Sequence, residues 1–328
     1  MSYFVTGGTG IIGEQLIKTL ILEGKQVIAL KRKSSIVSVS LKEIPSEQLQ
    51  WVEGDLLDSF SYSDYLTPQS TVIHTAATVS FQSSEERTMF KVNVEGTKIL
   101  IDTALDKNIA KFIHISSIAS IGRIKGLSLL DEKTKWQDSP DHSSYAESKY
   151  YAELEVWRGY EEGLKGFILN PAVVLAQSDW TKSSSIIFKR MSSGTLFHPT
   201  GSINTVDVRD VIDSLLLLDK KNVNRQRYIC SGNFDTYKNF LGLIAQEFKK
   251  KAPAISVNPF ILKFIATLSP LFSLFRNTPI LTSESIKSME SVNQFDSSKI
   301  SAEIDFKFRT SKETIQWTIP YYVEKYNL

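Results

Sequence analysis

Tyr145-Ala146-Glu147-Ser148-Lys149 sets a phenol and an ammonium four positions apart, and on a helix that spacing puts them on one face, a turn from each other. A phenol with a pKa near 10 is a poor proton carrier at neutral pH until its anion is stabilised. An ammonium ~4–5 Å away, at an effective dielectric of about 20, is worth a few kcal/mol, or roughly two to three pKa units. Spacing alone does not make a site, since Tyr321 and Lys325 repeat it near the other end of the chain and read as coincidence. What distinguishes Tyr145 is the upstream run Ile115-Ser116-Ser117-Ile118-Ala119, where a strand ends. A strand-end serine there points at the ligand crevice of a parallel sheet, with Ser117 the preferred register and Ser116 the other.

A second constellation opens the chain. Thr6-Gly7-Gly8-Thr9-Gly10-Ile11-Ile12-Gly13 places glycines at 7, 10 and 13 between a strand and a helix. One glycine makes the tight turn, one lets a pyrophosphate approach the backbone, and one lets the helix pack on the strand. The helix opening at Ile11 and Ile12 then offers N–H groups and a positive dipole end to the phosphates. At the end of the second strand an NAD site wants a carboxylate for the ribose hydroxyls. The run Leu30-Lys31-Arg32-Lys33-Ser34-Ser35 offers three cations and two hydroxyls instead, which suit a 2′-phosphate. The expected cofactor is therefore NADP(H), with NAD(H) possible.

These residues need a scaffold, and apolar runs alternating with helical periodicity supply one. Residues 3–6, 26–31, 49–53, 71–76, 111–116 and 165–170 read as strands; 11–23, 86–107 and 144–162 read as helices. Such alternation predicts an α/β protein with a doubly wound parallel sheet of the Rossmann type. Residues 1–171 form the dinucleotide-binding part in this reading. Strands near 205–232 return to its sheet, and 172–204 with 233–328 mainly bind substrate.

With these motifs in place the sequence resembles an extended short-chain dehydrogenase/reductase of the NAD-dependent epimerase/dehydratase superfamily, over nearly its whole length. Gly54-Asp55-Leu56 resembles the adenine-contacting turn, and His74-Thr75-Ala76-Ala77, Asn93-Val94-Glu95-Gly96-Thr97, Asn170-Pro171 and Val206-Asp207-Val208-Arg209-Asp210-Val211 fit as well. Ser116-Ser117-Ile118-Ala119 and Glu153-Leu154-Glu155-Val156-Trp157 look closest to the dihydroflavonol-4-reductase-like branch, a neighbour of the 3β-hydroxysteroid dehydrogenases. The resemblance implies that Ser117 hydrogen-bonds the substrate oxygen and that Tyr145 protonates it as hydride arrives. It implies too that Lys149 binds the nicotinamide ribose and lowers the tyrosine pKa. The implied cofactor contacts are Gly7, Gly10, Ile11, Ile12, Gly13, Lys31, Arg32, Asp55, Leu56, Ala76, Ala77, Tyr145, Lys149, Pro171 and Val173. Ile118 and Ala119 stand where sugar-nucleotide dehydratases carry acidic residues, which disfavours elimination. Nucleotide-sugar epimerisation with NAD is the alternative, and a non-catalytic dinucleotide sensor or scaffold the further one.

Composition narrows the partners. Lys plus Arg total 38 against 36 Asp plus Glu over 328 residues, so no general excess of basic charge suggests nucleic acid. The single cysteine, Cys230, excludes an internal disulfide and reads as a small buried apolar residue. With no signal-peptide pattern at the start, a cytoplasmic setting is expected. The apolar stretch 259–275 is interrupted by Lys263 and Pro270, too short to span a bilayer, and expected to line or cap a pocket. His74 and His114 in strands and His142 and His198 in loops show no metal-ligand spacing, so no metal is expected. Asp131, Glu132 and Trp136 fall in a polar segment read as an exposed loop. Tyr150, Tyr151, Ala152, Leu154, Val156, Trp157 and Tyr160 surround the helix of Tyr145, which makes a homodimer possible. Phe188, Phe197, Phe260, Phe264 and Phe272 suggest an apolar pocket for a small carbonyl or alcohol substrate.

Overall fold

The computed structural model describes residues 2–80, 82–122, 124, 126–139, 142–181, 183–257, 289–290 and 292–328. The stretch 259–275, with Phe260, Phe264 and Phe272, lies outside the described residues. Seven strands form the central sheet: β1 (Ser2–Thr6), β2 (Gln26–Lys31), β3 (Leu49–Glu53), β4 (Ser70–His74), β5 (Lys111–Ile115), β7 (Phe167–Pro171) and β11 (Gln226–Cys230). Their order is β11-β7-β5-β4-β1-β2-β3, every pairing parallel. The strand order reverses between β1 and β4, the place where a doubly wound sheet opens a crevice.

Alternation along the strands decides which face each residue joins. Tyr3 and Val5 pack with Leu16, Ile17 and Leu20 of α1 (Ile11–Leu22) and with Val211 and Leu215 of α7 (Val208–Lys220). Phe4, between them, joins the opposite face with Leu100, Ile101 and Ala104 of α4 (Gly96–Asp106) and Val156 and Tyr160 of α5 (Ser144–Glu161). Ahead of α4, α3 (Glu86–Phe90) runs into a π turn at Lys91–Glu95. The extra residue of that turn goes with an inward Asn93, which bonds Thr78 on both backbone groups and donates to Ser148 Oγ at 3.0 Å.

A third core stands apart from the sheet. Phe188 and Met191 of α6 (Ile186–Ser192), Phe240 and Ile244 of α8 (Tyr237–Glu247), and Ile315, Ile319 and Tyr322 of α10 (Ser311–Tyr326) pack on Leu175 of β8 (Val173–Leu175) and Ile203 of β10 (Ser202–Asp207). Here the sequence reading needs one correction. The strand at 226–230 does return to the main sheet, whereas β10 pairs with β8 and β12 (Asn233–Thr236) in a separate three-stranded sheet. The apolar pattern of a strand reports that it is buried but carries no information on which sheet it joins.

Shorter elements among the described residues include α2 (Val39–Lys42), β6 (Leu129–Leu130) with β14 (Gln294–Phe295), β9 (Phe197–His198) with β13 (Ile255–Ser256), and α9 (Ser298–Ile304). Among the described residues no helix is long and apolar enough to cross a membrane.

Candidate active site

The parallel register brings the carboxyl ends of the strands to one edge: Thr6 pairs with both Leu30 and His74, and Ile115 with Leu169. Every sequence-derived candidate that follows a strand is therefore carried to that edge. Gly7 takes a φ of +72° and packs against the chain after β4, where a Cβ would meet Ala76 N at 2.6 Å. Gly13 sits on the turn itself, with room for no side chain: a Cβ would lie 2.2 Å from Gly7 O. Gly10 is different, since its Cβ would meet only Gly7 O, at 3.2 Å. The open face of Gly10 thus lies at the start of α1, whose first N–H groups have no acceptor within the helix. A cradle of this kind, kept clear by missing side chains, fits a pyrophosphate.

The rest of the implied cofactor set divides by burial. Leu56 is buried beneath Gly96, while Asp55 is exposed and uses its carboxylate on Leu57 N at 2.9 Å. Ala76 N bonds Thr6 Oγ1 at 3.3 Å, Ala77 is exposed, and Pro171 closes β7 two residues before Val173 opens β8. At the end of β2, Arg32 and Lys33 are exposed, but Lys31 Nζ lies 3.3 Å from Glu53 Oε2 on the neighbouring strand. The linear run 30–35 contains no carboxylate, yet the register Lys31 to Glu53 places one beside it. Any contact with a 2′-phosphate falls chiefly to Arg32 and Lys33.

The hydroxyl, phenol and ammonium converge at the ends of β5 and α5. Ser117 caps a short turn by accepting from Ala119 N at 3.1 Å, and its side chain bonds Tyr145. Ser116 points the other way, buried, with Oγ 2.9 Å from Glu153 Oε2. The preferred register is the one that brings a serine to the phenol. Ser143 caps α5 at Ala146 N, which fixes the entry of Tyr145 into the helix. Lys149 is buried and donates to Ile115 O at 3.2 Å. Burial lowers its pKa to about 8 against the opposing charge of Glu153.

The Tyr145 pKa lies above its ordinary value, because burial outweighs the hydrogen bond with Ser117. Lys149 Nζ is tied to the Ile115 carbonyl. A Tyr–Lys contact does form at Tyr321 and Lys325, where Nζ donates to the phenol at 2.8 Å, but on the exposed face of α10. The phenol at 145 is consequently held protonated at neutral pH, the form that donates a proton.

Behind the site lie two histidines. His74 bonds Thr6 at 2.7 Å and Thr97 at 2.9 Å, and burial with the nearby Lys149 charge brings its pKa down to about 3. His114, 5.1 Å from it between ring centroids, is held well below its ordinary value by burial, then by Lys149 and His74. Both bind fewer protons folded than unfolded below the unfolded value of 6.5, so stability falls as pH drops through that value toward 3. The thermal midpoint is expected to fall steadily between pH 6.5 and 4, and a flat midpoint there would contradict this arrangement. Among the described residues no group of three or more His, Cys, Asp or Glu is placed to hold a metal ion. Cys230 is buried, with its thiol pKa raised by that burial.

The segment read as an exposed loop is anchored. Arg227 donates to Glu132 O at 2.6 Å and Thr134 O at 3.1 Å, and Ile229 N donates to Glu132 Oε1 at 2.8 Å. Trp136 stacks on Tyr150 with centroids 4.3 Å apart. A polar sequence hid this because its partners, the Arg227 guanidinium, the Ile229 N–H and the Tyr150 ring, are brought to it only by the fold. Sequence reasoning also passed over Glu153, although its place one turn beyond Lys149 was the available signal.

Comparison with known proteins gives the family and the fold. The profile of the NAD dependent epimerase/dehydratase family matches residues 3–229. Sterol demethylase protein B of Methylococcus capsulatus is 29% identical over 313 residues, covering 93% of either chain. A dihydroflavonol 4-reductase-like protein of Synechocystis sp. is 26% identical over 320 residues, covering 95% of this chain and 92% of its own. The crystal structure of gox2253 superposes with a TM-score of 0.82 at 26% identity, covering 99% of this chain and 98% of its own.

Proposed function

The chain belongs to the NAD dependent epimerase/dehydratase family and is an enzyme of the dihydroflavonol-reductase-like short-chain dehydrogenase/reductase type, and from that premise we propose that it is an NADP(H)-dependent reductase interconverting a ketone or aldehyde with an alcohol. The observation that supports this most directly is the hydrogen bond between Ser117 and a protonated, half-buried Tyr145 at the carboxyl edge of the sheet. The bound nicotinamide supplies or accepts the hydride. Ser117 holds the substrate oxygen, and Tyr145 donates the proton to it as charge develops. Lys149, on the same helix face, binds the ribose and stabilises the phenolate left behind. Gly7, Gly10, Ile11, Ile12 and Gly13 hold the pyrophosphate, with Asp55, Leu56, Ala76, Ala77, Pro171 and Val173 around the rest of the dinucleotide.

The third core, around Phe188 and Phe240, belongs to the substrate portion, residues 172–204 and 233–328. The same reading includes a homodimer through α5, where Tyr151 and Leu154 are 44% and 43% exposed, and a cytoplasmic setting. NADPH-coupled screening of hydrophobic ketones, aldehydes and flavonoid- or steroid-like compounds, with nucleotide sugars alongside, tests it: no NADPH oxidation with any carbonyl defeats the reductase reading.

Preference for NADPH is a separate expectation. Arg32 and Lys33 are expected to make NADPH bind at least about tenfold more tightly than NADH. Arg32→Glu should remove most of that difference by weakening NADPH alone, and comparable dissociation constants in the unaltered protein would end the argument. A nucleotide-sugar epimerase with tightly held NAD is the second reading, favoured by the Glu53 carboxylate beside Lys31. Dinucleotide retained through purification, identified by mass, separates the two.

A further inference from the structure

Glu153 touches neither Tyr145 nor Ser117 directly, yet it is only 2% exposed, and a carboxylate removed from water must be compensated. Its Oε2 lies 2.7 Å from Ser120 Oγ, 2.8 Å from Asn170 Nδ2 and 2.9 Å from Ser116 Oγ. Its Oε1 faces Arg227 Nη1 at 3.2 Å and Trp157 Nε1 at 3.4 Å. Two of these donors also reach the Ser117 carbonyl oxygen: Ser120 Oγ at 2.8 Å and Asn170 Nδ2 at 3.2 Å. The Ser120 hydroxyl has one proton and stands between two acceptors. Asn170, with two protons, can serve the carboxylate and the Ser117 peptide together.

We propose that Glu153 is a positioning residue, whose carboxylate fixes the Ser117 peptide through Ser120 and Asn170 and supplies the negative charge beside the Lys149 ammonium. The proposal rests on the reading of Ser117, Tyr145 and Lys149 given above. Its electrostatic side follows from the neighbours. Lys149 is faced by Tyr145 and Glu153 from its own helix and by His74 and His114 from β4 and β5. Glu153 is faced by Lys149 and Tyr160 on α5 and by Arg227 from β11. Both histidines are neutral at pH 7, so Glu153 is the anion that opposes the lowering of the Lys149 pKa to about 8. Loss of its charge leaves Arg227 without its buried partner and Lys149 without the opposing anion, and Lys149 then gives up its proton at lower pH.

Glu153→Gln, Glu153→Asp and Ser120→Ala distinguish the outcomes. Amide exchange over residues 116–122 of the full chain is expected to quicken at least tenfold in E153Q and S120A, with residues 11–22 unchanged. Wild-type exchange over 116–122 in both variants overturns the proposal, and S120A decides it should E153Q fail to fold. In turnover with the best carbonyl substrate, the alkaline limb of kcat is expected about one pH unit lower in E153Q and restored in E153D, with KM for NADPH altered less than threefold. An unmoved limb in active E153Q also overturns it, since a purely structural defect would lower kcat at every pH alike. If the unaltered protein reduces no carbonyl, the reductase reading falls by itself, and the exchange measurement still decides this one.

Discussion

Tyr145→Phe is expected to lower turnover by at least about 100-fold, equivalent to about 2.7 kcal/mol of barrier, while the thermal midpoint and NADPH affinity stay close to those of the unaltered protein. The substitution removes one oxygen and keeps the ring, so packing at the start of α5 is preserved. What disappears is the hydrogen bond with Ser117 and the one proton aimed at the substrate oxygen. The pH argument points the same way. Burial holds this phenol protonated at neutral pH, which favours donation during reduction, and the buried Lys149 begins to lose its charge near pH 8. Reduction should therefore decline above about that pH. Tyr321→Phe is the matched control, for it breaks a Tyr–Lys hydrogen bond of 2.8 Å at identical spacing and should leave turnover untouched. Full activity in the Tyr145 variant would remove the proton donor from the mechanism.

Gly13→Ala should weaken dinucleotide binding roughly 100-fold, the equivalent of 2–3 kcal/mol of overpacking. The added Cβ would lie 2.2 Å from Gly7 O and 2.8 Å from Gly8 Cα, and both are backbone atoms that cannot rotate aside. To accept it, α1 must shift away from the turn, and the N–H groups at its start move with it. Gly10→Ala separates affinity from stability, because its Cβ meets only Gly7 O, at 3.2 Å. It should leave the thermal midpoint nearly unchanged yet hinder the approach of the pyrophosphate. Gly242→Ala, in α8 with nothing within 4 Å of the new carbon, should if anything raise the midpoint, by the helix propensity of alanine. NADPH fluorescence titration of the three variants checks the order, and wild-type affinity in Gly13→Ala would show that the turn is not where the dinucleotide binds.

The sequence by itself determined the elements that precede and carry the site. The glycine spacing at 7, 10 and 13, the strand-end serines and the four-residue step from Tyr145 to Lys149 are local patterns. Strand and helix periods convert such patterns into positions without knowledge of the rest of the chain. That is why β2 and β3 were legible residue for residue, and why the ends of α1 and α5 differ by one residue from their reading. Tertiary structure decided whatever depends on which strand lies beside which. It seats Glu53 against Lys31, sends β10 to a second sheet with β8, and ties residues 131–134 to Arg227. It also turns Ser116 toward Glu153 and Ser117 toward Tyr145, a choice that two adjacent serines leave open in sequence. The sign of the Tyr145 shift belongs here too. A spacing specifies that an ammonium can reach a phenol, but burial and the competing carbonyl of Ile115 set the balance of charge, and both arise only when distant strands close around them.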